Sequence, residues 1–100
     1  MSERSFEEFF SDMDFFEVME ENGTFIYCYE PERDKDYLIA SDDIGNMPRE
    51  GALIMVACYA ANDVFLWKTE FADIDELYKI YKKSGGKAAF IDELKARSDS

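Results

Sequence analysis

Residues 52–71 read Ala52-Leu53-Ile54-Met55-Val56-Ala57-Cys58-Tyr59-Ala60-Ala61-Asn62-Asp63-Val64-Phe65-Leu66-Trp67-Lys68-Thr69-Glu70-Phe71. A near-continuous apolar run, a short Asn-Asp turn and a returning β-branched and aromatic run are the pattern of a β-hairpin. Residues 53–59 lack polar alternation, which predicts a central strand covered on both faces. A second hairpin lies upstream. Residues 24–30 (Thr-Phe-Ile-Tyr-Cys-Tyr-Glu) and 37–40 (Tyr-Leu-Ile-Ala) are strand-forming, and the charged residues 31–36 turn between them. Residues 41–51, with Asp42-Asp43, Gly45-Asn46 and Pro48, read as a loop.

Helices flank the strands. Asp73-Ile74-Asp75-Glu76 is an acidic N-terminal cap, and Lys79, Lys82 and Lys83 lie toward a stop at Ser84-Gly85-Gly86. Residues 87–97 place Phe90, Ile91 and Leu94 on one side of a short final helix. At the other end, Ser5-Phe6-Glu7-Glu8 has capping-box spacing, and Phe6, Phe9, Phe10 and Met13 recur on one helical face. Asp14-Phe15-Phe16-Glu17 repeats the capping signature, so the helix is either continuous to Asn22-Gly23 or broken near residues 11–14. The expected fold is one α+β domain over residues 1–100. It comprises an N-terminal helix, a four-stranded antiparallel sheet from two hairpins, and two C-terminal helices.

The chain of 100 residues is 47% hydrophobic and 16% aromatic, which excludes a disordered class. It has no apolar run of about 20 residues, and its first residues are acidic where a signal peptide is basic. The expectation is a soluble, cytoplasmic protein with no membrane association and with Cys28 and Cys58 as reduced core thiols.

Histidine is absent, which removes the commonest general base and metal ligand. Neither cysteine can form a Cys–His pair, and no glycine-rich phosphate loop or nucleophile elbow is present. Glu32, Asp34, Asp36 and Asp43 approach the spacing of a calcium loop, but Tyr37 stands where that loop requires glycine. No enzymatic activity, cofactor or metal is expected. Lys79, Lys82, Lys83 and Lys87 are accounted for by the helix dipole, and the rest of the chain repels phosphates, so direct nucleic-acid binding is not expected either.

The charge carries the functional argument. The chain has a formal charge of −12. Residues 1–50 hold 15 acids and 4 basic residues, whereas residues 51–100 hold 8 and 7. On a continuous helix Glu3, Glu7, Asp14 and Glu21 fall within about 40° of one another with Glu17 beside them, a stripe about 27 Å long. Carboxylates near a helix C-terminus cost stability, which points to use rather than folding. Asp34, Asp36, Asp42 and Asp43 add to the acidic half as secondary contributors.

A row of carboxylates attracts a cationic groove, and nucleic-acid-binding proteins carry such grooves. The expected function is an inhibitor or adaptor that docks this surface on a basic protein partner, such as a nuclease. In size, charge and missing catalytic equipment the chain resembles small phage-encoded inhibitors of host defence nucleases, the anti-CRISPR and anti-restriction proteins. That resemblance implies nucleic-acid mimicry. Aromatics near the acids, Tyr27, Tyr29, Tyr37 and Trp67, are candidate interface anchors. The alternative is a structural or assembly protein that forms homo-oligomers through an apolar sheet face.

Overall fold

The computed structural model describes residues 5–98. Its elements are α1 (Phe6–Asp12), β1 (Phe16–Met19), β2 (Phe25–Tyr29), β3 (Tyr37–Ser41), β4 (Ile54–Tyr59), β5 (Phe65–Phe71), α2 (Ile74–Ser84) and α3 (Lys87–Ser98). The α+β class holds, but the antiparallel sheet has five strands instead of four, in the order β1-β2-β3-β4-β5.

The extra strand comes from the acidic N-terminal segment. Ser5 caps α1 through the capping box its sequence predicts: its hydroxyl accepts from the Glu8 amide, and the Glu8 carboxylate accepts from the Ser5 amide. The helix then stops. The Met13 amide donates back to the Phe9 and Phe10 carbonyls, the Phe15 amide donates to the Phe10 carbonyl at 2.9 Å, and Asp14 has φ 66°. Left-handed backbone is tolerated by Asp better than by most residues, and here it turns the chain out of the helix. Residues 16–19 therefore form a strand, and the continuous helix to residue 22 does not exist. Antiparallel pairing with β2, Phe16 opposite Cys28 and Val18 opposite Ile26, holds the segment extended. Phe15 is buried in the core and Phe16 is exposed, as neighbouring residues of extended chain must be.

Asn22-Gly23 is accordingly a hairpin tip and not a helix stop. The Glu20 amide donates to the Thr24 carbonyl at 2.7 Å, and Gly23 takes φ 84°, the left-handed third position of a three-residue turn. The β4–β5 hairpin repeats the device: the Ala60 amide donates to Val64 at 2.9 Å, and Asp63 has φ 67°.

All three helices share one core with one face of the sheet, here called the inner face. Tyr27, Tyr29, Leu38, Ala40, Val56 and Cys58 pack there with Phe10, Leu77, Phe90 and Leu94 from the helices. Phe10 stacks on Tyr27 with centroids 4.4 Å apart, and Tyr29 meets Phe90 edge-on at 5.3 Å. Each such pair adds about 1 kcal/mol beyond the area it buries. Asp73 caps α2 by accepting from the Asp75 amide at 2.9 Å, and Gly85 ends it with φ 81°. At the far edge Arg97 lies over the Phe71 ring and pairs with Glu76 at 2.8 Å, tying α3 to β5 and α2.

One expectation about the sheet is corrected. β4 is not covered on both faces: Ile54, Val56 and Cys58 are buried, whereas Met55, Ala57 and Tyr59 between them are only half-buried. None of those three joins the core cluster. Among the described residues, no helix is long and apolar enough to cross a membrane.

Candidate functional site

Of the five residues expected along one helical stripe, the four described ones, Glu7, Asp14, Glu17 and Glu21, do not share a helix. Glu3 lies outside the described residues. Glu7 sits in the first turn of α1, where the dipole favours an anion. Glu17 sits on β1 directly opposite Tyr27, which places it on the same side of the sheet as α1. Burial raises the pKa of the Tyr27 hydroxyl, and the nearby Glu17 and Glu7 carboxylates raise it further. Glu7 and Glu17, on different elements, thus both add to the negative field at Tyr27. Beside them, Glu7, Glu8, Ser11 and Asp12 line a shallow hollow of about 270 Å³.

Asp14 is engaged internally: its Oδ2 accepts from the Tyr81 hydroxyl at 2.7 Å. Glu21 lies exposed in the β1–β2 turn, at the end of β1 remote from Asp14. From residue 5 to residue 21 the chain carries seven carboxylates and no lysine or arginine. These residues form α1, the β1 edge of the sheet and its turn.

The four secondary residues divide between the two ends of β3. Asp34, with φ 60°, and Asp36 belong to the β2–β3 turn, while Asp42 and Asp43 follow β3 at its other end. A five-residue strand spans about 17 Å, so the calcium-like spacing of Glu32, Asp34, Asp36 and Asp43 does not converge. Among the described residues, no group of three or more carboxylate or cysteine side chains is placed to hold a metal ion.

Asp42 is a correction. It is 1% exposed and cannot meet a partner. Its carboxylate accepts from the Ile44 amide at 3.0 Å, the Asn46 amide at 2.8 Å and the Arg49 Nε at 3.2 Å, which organises the β3–β4 loop. Burial pushes its pKa up, but the two amides and the guanidinium outweigh burial and hold it below the usual value. Asp43 stays half-exposed with Arg49 at 3.9 Å.

Neither cysteine is poised for chemistry. Burial raises both thiols to a pKa of about 11, with Glu30 adding to the effect at Cys28 and Asp36 adding to it at Cys58.

A second surface emerges from the sheet pairing. On its outer face, Phe16, Cys28, Ile39, Ala57 and Lys68 form one row across the five strands. Val18 and Ile26 begin a parallel row that Ser41, Met55 and Glu70 complete. Tyr37 and Tyr59 stack at 5.6 Å, with Phe65 edge-on to Tyr59 at 5.8 Å, along a third. None of these side chains belongs to the core cluster. Of the candidate anchors, Tyr37 faces outward here, whereas Tyr27 and Tyr29 are core residues and Trp67 packs against the core.

Comparison with protein families, curated proteins and solved structures finds no match to this chain.

Proposed function

We propose that this chain is a non-enzymatic, cytoplasmic binding protein whose acidic α1–β1 surface docks on a basic protein, of the kind whose cationic groove grips nucleic acid. One observation carries the reading. The segment of residues 5–21, with seven carboxylates and no cation, supplies a helix and a sheet edge, and its Glu17 lies opposite Tyr27 on the side of the sheet where Phe10 of that helix packs. Carboxylates held in excess on helix and strand create a field that steers a cationic partner and raises its association rate. The resemblance in size and charge to anti-CRISPR and anti-restriction inhibitors makes a nuclease groove a natural partner.

The working residues are Glu7, Glu17 and Glu21. Glu3 belongs with them by sequence. Asp34, Asp36 and Asp43 contribute to the surrounding field, and Asp14 holds the junction between α1 and β1.

The test is affinity capture at low salt with two baits. One is the wild-type chain, and the other carries Glu7→Lys, Glu17→Lys and Glu21→Lys. A control bait reverses Asp75, Asp92 and Glu93, which are exposed on the C-terminal helices. A basic protein held by the wild type and the control but lost by the first triple variant supports the reading. Equal retention by all three baits contradicts it.

A further inference from the structure

The outer sheet face is sparsely charged, in a strongly anionic chain. Within the strands it carries one cation, Lys68, and one anion, Glu70, both exposed. Neither forms an ion pair among the described residues. They occupy the outer side of β5 opposite Ala57 and Met55, with the inward-facing Thr69 between them.

We infer that this face is occupied by a second copy of the chain, in a face-to-face dimer whose two-fold axis crosses the strands at the level of Thr69. The argument is self-complementarity. Such an axis lays β5 on the second copy's β5 with the strand direction reversed, so Lys68 of each copy meets Glu70 of the other. The same operation lays the row Phe16, Cys28, Ile39, Ala57 on the row Val18, Ile26, Ser41, Met55. Small then meets large where Ala57 faces Met55, which suits interdigitating sheets. Both charged side chains of the strand face are thereby paired, and exposed Phe16 with the half-buried Val18, Ile39, Met55 and Ala57 leaves water, while Ile26 and Cys28 are already buried.

Within the strands this face offers a cationic partner no net charge, and at its edge the Asp63 carboxylate accepts from the Tyr37 hydroxyl. The carboxylates that would repel a second copy lie on α1, the turns and the inner side of β1, and screening acts beyond a Debye length of about 8 Å at physiological salt. The inference goes beyond the acidic-surface proposal and is separable from it. Added salt strengthens the dimer by screening two like-charged copies, whereas it weakens docking on a basic protein.

Sedimentation equilibrium of the full chain, from about 1 µM to about 500 µM, reads the association directly. The expected result is a mass rising from the 11.6 kDa monomer toward twice that value, more steeply at higher salt. Lys68→Glu and Glu70→Lys each weaken the dimer about tenfold, because each puts like charges together at two symmetric positions, and the doubly exchanged K68E/E70K restores it. Ala57→Arg abolishes it, with circular dichroism confirming that the chain stays folded. A monomer at every concentration overturns the inference and leaves the face to a different protein. A dimer indifferent to Ala57→Arg, or one that K68E/E70K fails to restore, also overturns it.

Discussion

The Tyr81 hydroxyl donates a 2.7 Å hydrogen bond to Asp14, joining residues 67 positions apart. The contact pins α2 to the point where α1 ends and β1 begins. Asp14 holds that point in left-handed backbone at φ 66°, so one residue supplies both the bend and its anchor.

The first prediction follows from that contact. Tyr81→Phe is expected to cost about 1 kcal/mol, the net worth of one hydrogen bond. Asp14→Ala is expected to cost about 2 kcal/mol, since it adds the strain of a left-handed alanine to the same loss. Asp14→Gly, which accepts that backbone, should cost less than Asp14→Ala. Urea unfolding of the three variants and of the Asp14→Ala/Tyr81→Phe pair reads the coupling, expected at about 1 kcal/mol. Strict additivity of the pair contradicts it.

Alkali should unfold the chain in part through Tyr37. Burial, followed by its 2.7 Å hydrogen bond to Asp63, raises this hydroxyl from an ordinary 10.0 to about 12. A pKa raised in the folded state gives stability that is complete below pH 10 and is lost as pH climbs toward 12. Tyr37→Phe lacks the group that titrates. Its stability should therefore fall less steeply than that of the wild type over that range in denaturant titrations. Parallel curves contradict the assignment.

At the acid end the sign reverses. The Asp42 pKa is lowered below 3.8 in the folded state, so its contribution is present above that pH and disappears as pH falls through the lowered value. Asp42→Ala should lose about 1–3 kcal/mol at neutral pH, because two loop amides and Arg49 are left without their acceptor. Hydrogen exchange at Ile44 and Asn46 should accelerate in the variant. Unchanged protection there contradicts the role given to Asp42.

The second hairpin, both C-terminal helices and the Ser5 cap were legible because local signals coincide there. Asp73 and Gly85 bracket α2 as capping chemistry requires, and the turn at 61–63 separates two β-rich runs. Residues 14–19 were not legible. Phe15, Phe16 and Met19 suit a helical face or a strand equally, and only the pairing of Phe16 with Cys28 and Val18 with Ile26 decides. Asn22-Gly23 was ambiguous for the same reason, since glycine in left-handed backbone ends helices and closes hairpins alike.

The one-sided cover of β4 was hidden because Met55 and Ala57 are apolar although they face outward. Of the candidate residues, Glu7 and Glu17 are expected on one helix from their spacing, whereas they lie on α1 and on β1 because the chain turns at Asp14. Asp42 was misassigned because nothing in its identity distinguishes a surface acid from one that collects its own loop's amides.

The decisive measurement is the association rate of the captured basic partner as a function of ionic strength. The wild type should bind fast at low salt and slow about tenfold or more as salt rises to physiological strength. The Glu7→Lys/Glu17→Lys/Glu21→Lys variant should bind slowly throughout, with a nearly flat salt profile. Identical rates and salt profiles for the two proteins would contradict the claim that the α1–β1 carboxylates do the docking.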